Sequence, residues 1–146
     1  MRTMRIGAVP VARVWSTDYA MVEGSVGLAR IHVRRNLTAM GWAGDVEDMV
    51  LIVSELVSNA INHGRIVGET LTVRVAVLEE GGLLLDVSDR LAVFPHFDEV
   101  LACPPDDAEG GRGLLVIRAV GAQLEWFPCR GGGKTVRAHV VARRRD

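Results

Sequence analysis

The chain has 146 residues, 17 Lys and Arg against 18 Asp and Glu, a formal net charge of -1, 49% hydrophobic and 24% charged residues. A chain of this length and composition is expected to form one domain, 1–146, with a core of its own, which excludes a disordered polypeptide. The near-balanced charge argues against a direct nucleic-acid or polyanion binder.

The N-terminal stretch MRTMRIGAVPVARVW has no sustained apolar region before Arg13, so no signal peptide is expected. No apolar run approaches the ~18 residues needed to cross a bilayer. Cys103 and Cys129 lie far apart with no CxxC pattern, which predicts neither a disulfide nor a zinc site and fits a reducing cytoplasm.

From about Glu23 to Met40, Val26, Ala29, Val33 and Leu37 fall on one stripe with Arg30, Arg34 and Arg35 off it, predicting an amphipathic helix closed by Gly41. Asp45 is the expected N-cap of a second helix, with Asp48 in its first turn. Its apolar positions, from Val46 to Ile61, cover more than a narrow face, so this helix is expected to be well buried, ending at Gly64. LTVRVAVL (71–78) and LLLDVSD (83–89) both alternate, and the EEGG between them predicts an antiparallel hairpin. A loop rich in Pro, Asp and Gly follows, from about Leu91 to Arg112. GLLVIRAVGA (113–122) predicts a third helix. QLEWF and KTVRAHVVA predict a last hairpin around Arg130 and three glycines. This order predicts an α/β two-layer sandwich, a mostly antiparallel sheet with helices packed on one face, its core running from about 20 to 142.

Three polar islands stand where apolar elements end. In SELVSNAINHG (54–64), Glu55, Asn59 and His63 are four residues apart and so form one ridge on a helix that is otherwise apolar. An amide oxygen beside a carboxylate suits a magnesium ion that keeps most of its waters and binds phosphates. Asp89 ends the second strand, where it can accept a hydrogen bond from an exocyclic amine. EGGRGLL (109–115) places glycines before a helix, leaving backbone N–H groups free to meet phosphate oxygens.

ELVSNAINHG, DVSDR, GRGLLVI and GGGKTV together, in this order and spacing, resemble the GHKL ATP-binding (Bergerat) fold of gyrase and the histidine kinases. More narrowly they are similar to the stand-alone branch of anti-sigma-factor serine/threonine kinases. The resemblance covers about residues 20–142. It implies ATP and Mg2+ as ligands, with Asn59 ligating the magnesium and Glu55 the general base. Asp89 would hold the adenine amine with support from Thr135, and His63 would line the pocket. Gly111, Arg112 and Gly113 would form the phosphate-facing hinge of an ATP lid. It implies a protein partner, an anti-sigma-factor antagonist or a sigma factor, and suggests a homodimer. One departure stands out. The family's DxGxG pattern reads here as Asp89-Arg90-Leu91-Ala92-Val93, without the glycines that let a backbone approach a nucleotide. That departure keeps a non-enzymatic, ATP-gated adaptor open as the alternative to a kinase.

Overall fold

The computed structural model describes residues 4–6, 9–64, 66, 68–91, 117 and 120–141. Their elements run β1 (Met4–Ile6), β2 (Val9–Ala20), α1 (Gly24–Ala39), α2 (Val46–Gly64), β3 (Thr70–Leu78), β4 (Leu83–Asp89), β5 (Gln123–Pro128) and β6 (Lys134–Val140). The strands form one six-stranded sheet in the order β1-β2-β3-β4-β6-β5, and every neighbouring pair is antiparallel. The described helices, α1 and α2, pack on each other and on one face of the sheet, as the α/β two-layer sandwich requires.

Alternation sorts the strand residues. Leu71, Val73 and Val75 of β3, Leu83, Leu85 and Val87 of β4, and Val136 and Ala138 of β6 face the helices. Against them lie Ala29, Val33 and Leu37 of α1 and Ile52, Val53, Leu56 and Val57 of α2. The opposite face carries a smaller apolar cluster, Val11, Ala76, Leu78 and Leu84, with Val14 packed on it.

The helix ends follow from local chemistry. The Asp48 amide donates to Asp45 Oδ1 at 3.1 Å, the N-cap bond that an Asp in this position supplies. At the end of α1, Gly41 adopts φ 67°, its N–H donates to Thr38 O, and Trp42 N–H donates to Leu37 O. This is a Schellman closure, which needs a residue at ease with positive φ.

Before the expected core, which starts at about residue 20, β1 and β2 extend the sheet, with β2 paired to β3 from Val11 to Ala20. A bulge between Val11 and Arg13 puts Val11 and Val14 on the outer face and Trp15 and Tyr19 on the helix face, so the period of two is broken. The expected third helix and the loop before it fall almost entirely outside the described residues. Of that helix, Ile117 is helical and fully buried against the core.

Candidate functional site

The topology brings the polar islands to one end of the sandwich. Only a short connection separates the end of α2 at Gly64 from the start of β3 at Thr70, so both lie at the same end. The register sets Thr72 opposite Ser88, Ser88 opposite Thr135 and Asp89 opposite Lys134. Glu69, just before β3, meets Arg90, just after β4, with 3.6 Å between them. Asn59 and His63 on the last turns of α2, Asp89 and Lys134 therefore share this end, with Glu55 one turn further in.

On α2, Glu55 and Asn59 are half-buried while His63 is exposed. Among the described residues, neither the Glu55 carboxylate nor the Asn59 amide has a hydrogen-bonding or ionic partner. Neither group is used to hold the fold together, so both are left to bond water or a ligand. Among the described residues no three His, Cys, Asp or Glu side chains cluster closely enough to hold a metal ion. The donor set thus fits magnesium only in its usual phosphate-bound form: one protein oxygen, phosphate oxygens and waters.

Asp89 follows Leu83, Leu85 and Val87 in alternation and so faces the helix layer. It is not waiting for a ligand. Lys134 Nζ lies 2.9 Å from Oδ1 and 2.8 Å from Oδ2, and the Leu91 amide donates to Oδ1 at 2.9 Å. Lys134 Nζ also reaches Leu91 O at 3.4 Å. The two side chains are 1% and 4% exposed, a fully enclosed ion pair.

Thr135, expected beside Asp89, is on the other face of the sheet. Its hydroxyl bonds Ser88 Oγ at 2.7 Å and lies 3.0 Å from Cys129 Sγ. That face also carries the bidentate Arg137–Asp86 pair, at 2.8 and 2.9 Å, with the guanidinium over the Phe127 ring at 5.0 Å. Hydrogen bonding to Asp86 raises the Arg137 pKa further above its ordinary value. Lys134 was missed, although its signal was present: in β6, Lys134 has the parity of the core residues Val136 and Ala138, and Thr135 does not. Gly111, Arg112 and Gly113 lie outside the described residues.

The family profile of the histidine kinase-like ATPase domain matches residues 21–140. The chain belongs to this family, the GHKL ATPases, and its strands β1 and β2 precede the matched region. No curated protein matches the chain significantly in sequence. Among solved structures, the chain is similar to the RsbU and RsbW domains of Rv1364c from Mycobacterium tuberculosis, at 19% identity and TM-score 0.61, over 89% of this chain and 32% of that one. It is also similar to the histidine kinase domain of the Erythrobacter litoralis EL346 blue-light activated histidine kinase, at 19% identity and TM-score 0.51, over 79% and 60% of the two chains. At such identities the likeness speaks for the fold. The chain spans between about a third and three fifths of these relatives' lengths. Among the described residues, no helix is long and apolar enough to cross a membrane.

Proposed function

We propose that this histidine kinase-like ATPase domain binds magnesium-ATP at the α2–β4 end of the sandwich and acts as an anti-sigma-factor-like serine/threonine kinase. The observation that carries the reading is the half-buried pair Glu55 and Asn59, without polar partners among the described residues, on a family-matched helix. The Asn59 side-chain oxygen would ligate magnesium, and magnesium would offset phosphate charge. Glu55, one turn away, would take the proton from the hydroxyl of a serine in an antagonist protein as that oxygen bonds the γ-phosphorus. The bond to the β–γ bridging oxygen breaks and ADP leaves. Gly111, Arg112 and Gly113 would face the phosphates, and His63 would line the pocket. The role in this reading is partner switching, with a sigma factor and its antagonist competing for the same protein, in the cytoplasm and as a homodimer; the likeness to a structure containing an RsbW domain fits that class.

Calorimetry with ATP, with and without magnesium, tests the binding. Asn59→Ala is expected to remove the magnesium dependence of ATP affinity. A positioned base supplies about 10²–10⁴ in rate, so Glu55→Gln should keep affinity within a few-fold while nearly abolishing transfer to a serine-bearing antagonist. If the unmutated chain binds no adenine nucleotide at millimolar concentration, the reading fails.

A second reading, a non-enzymatic ATP-gated adaptor, draws on a specific observation. Leu91 and Val93 stand where the DxGxG pattern has its glycines, and Asp89 is already paired. ATP binding without transfer to any antagonist would favour it.

A further inference from the structure

A purine amine approaching Asp89 meets a carboxylate whose bonds are largely taken. An ionised carboxylate offers about four lone-pair positions. The Leu91 amide and the Lys134 ammonium fill three of them, two on Oδ1 and one on Oδ2. The ammonium is itself a nitrogen donor on the edge of the carboxylate, which is the chemistry an exocyclic amine would offer, and with a full charge it is the stronger donor. Near-complete enclosure of both side chains leaves no open approach to Oδ2.

We propose that Lys134 is the specificity-determining residue of the base pocket: its ammonium competes with the purine amine for Asp89, and an adenine base reaches that carboxylate only by displacing it. The inference rests on the nucleotide-binding reading above. Two consequences follow from the chemistry. A base without a 6-amine has nothing to gain on Asp89, so it does not displace Lys134. Removing the ammonium leaves a buried carboxylate that an adenine amine can satisfy, so adenine affinity rises.

Calorimetry of the unmutated chain, Lys134→Met and Lys134→Gln with magnesium-ATP and magnesium-ITP tests this. ATP should bind Lys134→Met roughly tenfold or more tightly than the unmutated chain, since an unpaired buried charge is costly and the ligand now relieves it. ITP affinity should stay within a few-fold. Lys134→Gln, which keeps a neutral donor in place, should show a smaller gain in the same direction. ATP binding unchanged or weakened in both variants, with the unmutated chain binding, overturns the competition and leaves the nucleotide site standing. No binding by any of the three chains overturns the nucleotide reading itself, and this inference with it.

A measurement on the unmutated chain decides the matter if the variants do not fold. Lys134 is the only lysine, so acylation by an amine reagent, read by peptide mass, reports on it alone apart from the N-terminus. Saturating magnesium-ATP should raise its labelling several-fold, and ITP should not. Labelling that stays low with ATP bound shows the ion pair intact and overturns the proposal.

Discussion

Tyr19 is the one tyrosine of the chain, so its environment can be measured without a mutation. Its hydroxyl lies 2.6 Å from His32 Nδ1, and the His32 ring in turn meets the Trp15 ring edge-on at 6.1 Å. Burial pushes the phenol from its ordinary 10 up to about 12, because a phenolate would lose its hydration there. A neutral phenol keeps this hydrogen bond, with the donor set by the tautomer of the His32 ring. The sign of the linkage follows: the folded chain holds the phenolic proton more tightly than the unfolded chain does. Its contribution to stability is therefore complete below pH 10 and is lost as pH rises from 10 towards 12. Phenolate absorbance should show a midpoint about 12 in buffer and about 10 in concentrated denaturant. A midpoint near 10 in the folded protein would contradict the enclosure of this side chain.

The β5–β6 turn shows how an element depends on one backbone position. Gly131, Gly132 and Gly133 all adopt positive φ, but their surroundings differ. A Cβ on Gly131 would meet nothing within 4 Å, whereas one on Gly133 would collide with the backbone carbonyl oxygen of Asp89. Gly131→Ala should therefore cost only the left-handed penalty of about 1–2 kcal/mol. Gly133→Ala adds a collision with backbone that cannot rotate away, and should cost at least ~3 kcal/mol in urea unfolding. Equal losses would show that the turn relaxes freely and does not fix the end of β4. The hairpins and both helices were legible in the sequence because their spacing obeys one period from end to end. In β2 it does not: the bulge after Val11 changes the phase, so Val11 and Val14 share a face three residues apart and the pattern reads as neither strand nor helix. The ridge of the candidate site was legible on α2, since a helix keeps residues four apart together. The site was misjudged across β6, where a shift of one residue exchanges Thr135 for Lys134 and one face for the other.

At the scale of the whole molecule, the candidate site holds two kinds of polar residue, and stability should separate them. Glu55 and Asn59 make no polar bond among the described residues, so the fold has little to lose with them. Glu55→Gln and Asn59→Ala are expected to stay within about 0.5 kcal/mol of the unmutated chain. Asp89 and Lys134 are different, because each neutralises the other inside the protein. Asp89→Ala takes the carboxylate away from a buried ammonium and should cost about 3–5 kcal/mol. For a domain of this size each kcal/mol shifts the midpoint by about 2–4 °C, so a fall of roughly 6–20 °C is expected. Much of that penalty comes from the charge left behind and not from the bond itself. The double variant Asp89→Ala, Lys134→Met removes both charges and should recover most of the loss, since the two residues touch and cannot be additive. Thermal unfolding of the two single variants and the double one measures the coupling directly. Additive losses would mean that the two charges are not paired in solution, and Asp89 would then be open to a purine amine without competition. A strongly non-additive cycle would mean that part of the free energy holding this end of the sheet together must be given up whenever a base takes Asp89, so adenine affinity and fold stability trade against each other at a single carboxylate.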